Sequence, residues 1–221
     1  MRNLFKLLNR EIKLNFKGFQ TCLINLFFFI VVFIVFAISM GEQIDLIYQI
    51  IHGTMWAIVL LSIIFSVDQF FGSDFEDGCY DELCVLGYKS TEIILSKILA
   101  IWLFVALPLI LIVPIFIKLL TPSYTSSVTL VLSLFLGSPS LVLLASVGEI
   151  LLLKAKKNKV LLLLIIMPFY LPVLIFGVGA IDLVNQGINP NKNFFILIGI
   201  FFITLPLTLI TGKFAIEQLN K

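Results

Sequence analysis

Charge, histidine and cysteine are all scarce in this sequence. Of its 221 residues only 13% are charged, one is histidine and three are cysteine, and the net charge of +2 gives no reason to expect a nucleic-acid partner. The cysteines form no CxxC pair, which argues against a zinc site or covalent haem attachment. The sequence also lacks a GxxxxGK[ST] loop, an HExxH motif and paired acids within its apolar segments. We therefore expect no metal, no ATP site and no catalytic centre in the chain itself.

Long apolar segments are what the sequence has instead. It is 60% hydrophobic with a mean hydropathy of +1.13. A run of about 20 apolar residues can cross the roughly 30 Å of hydrocarbon in a bilayer. Six uncharged runs meet this condition: 18–41, 46–67, 98–117, 128–147, 160–181 and 193–211. They predict an all-α polytopic membrane protein with six transmembrane helices, formed as a single domain over residues 1–221.

A basic amphipathic segment precedes the first span. Its two sides each repeat at helical spacing, as in a helix that lies in the membrane interface. The basic side carries Arg2, Lys6, Arg10, Lys13 and Lys17, and the apolar side carries Phe5, Leu8, Ile12 and Phe16. We predict an N-terminal interfacial amphipathic helix in contact with membrane lipid.

The distribution of Lys and Arg predicts the orientation, because cytoplasmic segments retain positive charge. With the N-terminus inside, thirteen of the 15 Lys and Arg residues fall in the inner segments. The other two, Lys118 and Lys192, lie at span ends, from which their side chains can reach the headgroups. Both termini are therefore predicted to lie in the cytosol.

The acidic segment 68–97, between spans two and three, is the strongest candidate for a partner-binding site. Seven of the 13 acidic residues lie between Asp68 and Glu92. Negative charge on the inner face is repelled by anionic lipid and favours a partner with a basic surface. Gly78 is placed to form a turn before a short amphipathic helix that would fill a groove. Its apolar side would be Tyr80, Leu83 and Leu86. A solvated loop without a partner is the plainer alternative.

Prolines and a few polar residues interrupt the spans. Six prolines fall within spans three to six, and each removes a helical hydrogen bond, which predicts a bundle with bent helices. His52 lies near the outer end of span two, one helical turn before Trp56. Haem ligation by His52 is conceivable, but headgroup anchoring is the plainer interpretation of both residues. Glu149, at the margin of span four, is expected to reach water.

Four short stretches together carry a resemblance to a known family. They are Gly53 to Trp56 in span two, Phe71 to Gly78 followed by Glu82 and Leu83, Leu136 to Leu141 in span four, and Pro168 to Phe176 in span five. In this order and spacing the sequence resembles, over nearly its whole length, the heme exporter B permeases of cytochrome c maturation, the CcmB family. It departs from the family pattern at Leu86-Gly87-Tyr88, where relatives often carry a proline.

The resemblance implies an ABC-2-type permease fold in which segment 68–97 is the coupling loop to a cytosolic ABC ATPase subunit that binds the ATP. The coupling residues would be Asp74, Asp77, Gly78, Asp81, Glu82 and Leu83. Helix packing would depend on Gly53, Trp56, Gly137, Pro139, Pro168 and Pro172.

The resemblance also implies further partners: a haem-handling membrane protein, a small one-span subunit and a periplasmic haem chaperone. Haem would be a candidate cargo, with no cofactor bound by the chain itself. The implied location is the bacterial inner membrane rather than an organellar one.

Two other functions fit the same six spans. One is an ABC-2-type export permease for another substrate, such as a polysaccharide or a drug. The other is a non-transporting scaffold that assembles the maturation complex. An intramembrane enzyme is disfavoured because the sequence has no catalytic constellation.

Overall fold

The computed structural model describes residues 2–17, 19–41, 44–120, 124–152 and 159–219, and in these residues every regular element is a helix. The helices are α1 (Arg2–Lys17), α2 (Phe19–Met40), α3 (Ile44–Glu76), α4 (Cys79–Val85), α5 (Ser90–Ile101), α6 (Leu107–Leu120), α7 (Tyr124–Leu152), α8 (Lys159–Asn185) and α9 (Asn191–Leu219). Five apolar helical segments of the described chain are long enough to cross a membrane, and α2 adds a shorter apolar stretch, Leu23–Ser39. The predicted all-α polytopic membrane fold is confirmed.

Helix α7 lies at the centre of the bundle. It packs against α3, α6, α8 and α9, and every residue from 141 to 150 is buried. Small side chains let the neighbouring helices approach closely, as is usual where apolar helices associate in lipid. The small residues in the middle of α7 are Gly137, Ser138, Ser140, Ala145, Ser146 and Gly148.

A π-helical segment, Trp102–Ala106, joins α5 to α6 and makes them one continuous span. Within it the Leu107 N–H donates to the Trp102 carbonyl, five residues back. Pro108 follows directly, and a proline has no N–H and crowds the carbonyl four residues before it. The wider π turn accommodates this proline without ending the helix.

Helix α3 extends farther than the sequence predicted. The predicted span ended at Val67 and a loop was expected from Asp68 onward, whereas α3 runs to Glu76. The change from apolar to acidic residues marks the end of the membrane-crossing part, but it does not interrupt backbone hydrogen bonding. Segment 68–97 is consequently mostly helical and contains the end of α3, all of α4 and the start of α5.

The N-terminal helix α1 has three sides rather than the predicted two. Leu7 and Glu11 are 2% and 4% exposed, and α1 packs against α5. Phe5, from the predicted apolar side, is 67% exposed, as expected for a side chain that faces lipid. Lys6 and Lys13 are exposed on the basic side. The side of α1 that contacts the bundle therefore contains an acidic residue, which the amphipathic pattern did not predict.

Candidate functional site

The acidic segment is organised around α4, which has a glycine at each end. Gly78, with φ of 71°, and Gly87, with φ of 84°, adopt the left-handed conformation that glycine enters without steric strain. The Gly87 N–H donates to the Cys84 carbonyl at 3.0 Å and the Tyr88 N–H donates to the Leu83 carbonyl at 3.2 Å, as in a Schellman motif. The predicted turn at Gly78 and the short helix after it are confirmed.

Part of the predicted apolar side of α4 is buried against the helix bundle and part is exposed. Tyr80 and Leu83 are 3% and 6% exposed, and the Tyr80 hydroxyl donates to the Phe71 carbonyl of α3 at 3.3 Å. These side chains fill a groove within the chain itself. Leu86, predicted on the same side, is instead 72% exposed, and Val85 is 87% exposed. Two apolar side chains thus project from the tip of α4.

The predicted coupling residues occupy three different environments. Asp77, Asp81 and Glu82 are exposed around α4. Leu83 is buried and Gly78 forms the turn. Asp74 lies on the last turns of α3 and points into an ion-pair cluster. The exposed acids and the apolar tip therefore form one surface, to which Asp74 does not contribute directly.

The ion-pair cluster joins α1, α3 and α5, and consists of Arg10, Glu11, Asp74 and Lys97. Lys97 Nζ contacts Asp74 Oδ2 at 2.5 Å and Glu11 Oε2 at 3.7 Å. Arg10 Nη1 contacts Glu11 Oε1 at 2.7 Å and Asp74 Oδ2 at 3.5 Å. The two positive and two negative groups balance, as burial of charge requires.

Burial affects the ionisation of groups in and beside this cluster. Desolvation raises the pKa of Glu11, with Lys97 acting in the opposite direction. Desolvation also raises the pKa of Tyr80 well above its usual value, and Asp74 and Glu11 add to this effect. Glu149 also acts on Tyr80 and is only 9% exposed, so the expectation that Glu149 reaches water is wrong.

Trp56 is the centre of the helix packing between α3, α7 and α8. It is fully buried, and its Nε1 donates to Ser133 Oγ at 3.3 Å. The ring lies in a slot between Gly137 of α7 and Gly177 of α8. A Cβ atom added at Gly137 would lie 2.5 Å from the ring, and one added at Gly177 would also overlap it. Interpretation of Trp56 as a headgroup anchor is wrong, and Gly177 was not predicted to matter.

The remaining predicted packing residues do not share this slot. A Cβ atom at Gly53 would have no neighbour within 4 Å. Pro168 and Pro172 are exposed on α8, and Pro139 is half-buried on α7. His52 is 5% exposed, so it lies within the protein and does not act as an anchor at the lipid surface.

An apolar crevice of about 350 Å³ lies between α5, the π segment, α7 and α9. Trp102 lines it, and its Nε1 donates to Ser138 Oγ at 3.0 Å. Other lining residues are Ile98, Phe135, Pro139, Phe201 and Leu205. Pro139 therefore forms part of the crevice wall.

These features define a multi-pass α-helical membrane protein in which exposed acidic residues and two exposed apolar side chains lie together on and beside the short helix α4. Comparison with known families identifies it further. The family described as "CcmB protein" matches residues 2–218. The chain is 35% identical to Heme exporter protein B of Pseudomonas aeruginosa over 94% of both chains. It is 31% identical to Heme exporter protein B of Rhodobacter capsulatus over 96% of this chain and 97% of the relative. The chain belongs to the CcmB family.

Proposed function

We propose that this chain is the membrane permease subunit of an ABC transporter complex in cytochrome c biogenesis. Membership of the CcmB family supports this role, as do full-length relatives named as heme exporters. A separate cytosolic subunit hydrolyses ATP. This chain couples that hydrolysis to haem delivery through release of a haem-loaded periplasmic chaperone. The haem-handling membrane protein and the small one-span subunit complete the complex.

The surface of α4 is the docking site for the ATPase in this proposal, and its geometry is the observation that carries the assignment. Val85 and Leu86 are 87% and 72% exposed at the tip, and Asp77, Asp81 and Glu82 are exposed beside them. An apolar centre with a polar rim is the usual composition of a protein interface. The acidic rim fits a partner groove with a basic edge.

The proposed orientation places α4 and both termini in the cytosol of a bacterium, with the chain in its inner membrane. The asymmetry of Lys and Arg supports this orientation. It puts the docking surface on the side where ATP is available. His52 and Asp182 then lie toward the periplasmic side.

The test is charge reversal at Asp77→Lys together with Glu82→Lys. Both residues are exposed, so the permease should keep its fold while co-purification of the ATPase falls at least about tenfold, because like charges then face the basic edge of the partner. The matched control is Asp182→Lys, the same change at an exposed position near the other end of the bundle. Undiminished co-purification with the double variant would refute docking at α4.

A further inference from the structure

The ammonium group of Lys97, on α5, contacts groups on three other helices, α1, α3 and α4. Lys97 is only 1% exposed, and its ammonium group donates to the Phe70 carbonyl at 2.8 Å and to Asp74, both on α3. The same group pairs with Glu11 of α1 at 3.7 Å. It also lies 5.6 Å from the centre of the Tyr80 ring of α4, within the range of a cation–π contact.

A lysine in this position is unfavourable unless it has a specific role. Removing an ammonium group from water is expensive, and the surrounding contacts must offset that loss. An apolar side chain of similar length would pack α5 against α3 without this penalty. An apolar side chain could not make the polar contacts of Lys97, which connect Glu11 of α1 and the Phe70 carbonyl of α3 to α5.

The attachment of α4 explains why such a link is needed. The helix has seven residues and a left-handed glycine at each end, so its two connections alone would let it swing. The Tyr80 hydroxyl attaches α4 to α3 by donating to the Phe71 carbonyl. The adjacent carbonyl on α3, that of Phe70, accepts a hydrogen bond from Lys97. A continuous series of contacts therefore runs from α4 through α3 to Lys97 and then to Glu11 on α1.

We propose that Lys97 is a positioning residue that makes α4, the end of α3, the start of α5 and α1 move as one unit. This inference rests on the proposed docking of the ATPase at α4. Displacement of α4 by the ATPase then moves the α5 span and the interfacial helix α1 together, and the glycine turns do not absorb the motion. Helix α1 is thereby assigned to the coupling device and is more than a membrane anchor.

The first test uses the permease alone. Spin labels at Lys13→Cys on α1 and at Cys84 on α4, with Cys22 and Cys79 replaced by Ser, report the distance between the two helices. The wild-type background should give one narrow distance distribution. Lys97→Met together with Asp74→Asn leaves Arg10 and Glu11 to neutralise each other on α1 and removes the ion pairs that Lys97 and Asp74 make with α1. This double variant should give a broad distribution.

The double variant is needed because Lys97→Met alone leaves a buried negative charge without its partner, and it is expected to reduce the amount of folded permease. Addition of Asp74→Asn should restore that amount. If the double variant regains the wild-type amount of folded permease but not ATP-dependent chaperone release, Lys97 acts in positioning and not only in folding.

The second test measures coupling in the assembled complex. With the double variant, ATPase co-purification should stay within about twofold of wild type, because the exposed α4 surface is intact. ATP-dependent release of the haem-loaded chaperone should fall by on the order of tenfold, within the usual range for coupling between two sites. Lys13→Met, on the exposed side of α1, is the matched control and should release normally.

A narrow distance distribution or normal release in the folded double variant would overturn this inference. Failure of the docking proposal looks different, because charge reversal at Asp77 and Glu82 would then leave ATPase binding intact. In that case the distance measurement on the permease alone would still decide whether Lys97 ties α1 to α4.

Discussion

The Trp56 slot permits a quantitative test by the smallest change available, Gly177→Ala. The added methyl group would overlap three atoms of the indole ring, with Cε2 at 2.6 Å and Cη2 at 2.7 Å from the new Cβ. The ring cannot move toward α7, because Gly137 already contacts it from that side. Its bond to Ser133 would also be broken if it left the slot. The substitution therefore displaces a fully buried tryptophan.

The expected loss of stability follows from that displacement. Overpacking a well-filled core costs about 1–3 kcal/mol. Complete loss of a buried aromatic side chain costs about 3–5 kcal/mol. Because the ring is rigid and confined on both sides, we expect an intermediate loss of about 2–4 kcal/mol for Gly177→Ala. The higher helix propensity of alanine offsets at most about 1 kcal/mol of this.

The assay is unfolding of the detergent-solubilised protein by added SDS, followed by tryptophan fluorescence. Gly53→Ala is the matched control, since a methyl group there meets no atom within 4 Å and should change the free energy of unfolding by less than about 0.5 kcal/mol. Equal stability of Gly177→Ala and wild type, or an equal loss in both variants, would show that the slot does not confine the ring.

Two further predictions concern α4. The double substitution Val85→Asp and Leu86→Asp at the apolar tip should weaken ATPase co-purification at least about tenfold. The melting temperature should not fall, because both side chains are exposed and contribute little to folding. Unchanged ATPase binding would exclude the tip from the interface. A membrane-impermeant maleimide should label Cys79 in inside-out vesicles but not in intact cells, and labelling of intact cells would contradict the proposed orientation. Because burial and neighbouring acids raise the pKa of the Cys79 thiol, its labelling at pH 7.5 should be slower than that of a free cysteine and should increase as the pH rises.

Hydropathy was sufficient to predict the class of fold: in the described part of the chain, five of the six uncharged runs correspond to apolar helices long enough to cross a membrane, and run 18–41 corresponds to the shorter apolar stretch of α2. Helix ends were less predictable where acids follow an apolar run, as in α3, which continues nine residues beyond Val67. The change from apolar to charged residues indicates where the chain leaves the membrane. The end of a helix depends instead on local backbone conformation, such as the left-handed turn at Gly78. The short helix α4 was predictable because its glycine turn and apolar spacing lie close together in the sequence.

Contacts between distant residues were not predictable from one sequence. From the sequence Trp56 could be assigned either to the lipid interface or to helix packing, and the approach of Gly137 from α7 and Gly177 from α8 shows that it packs between helices. The ion-pair cluster combines residues of α1, α3 and α5, and Lys97 was indistinguishable from a lysine that marks the inner membrane surface. One signal was available in α1: Glu11 is the single acid among five basic residues, at a position where an interfacial helix has no need of a negative charge.

The coupling role of this subunit can be measured as ATP-dependent release of the haem-loaded chaperone from the complex, with and without this chain. We expect the ATPase to co-purify only when this chain is present, and ATP then to free the chaperone. Charge reversal at Asp77 and Glu82 should abolish both effects. Release of the chaperone at the same rate without this chain would contradict its role as the coupling permease.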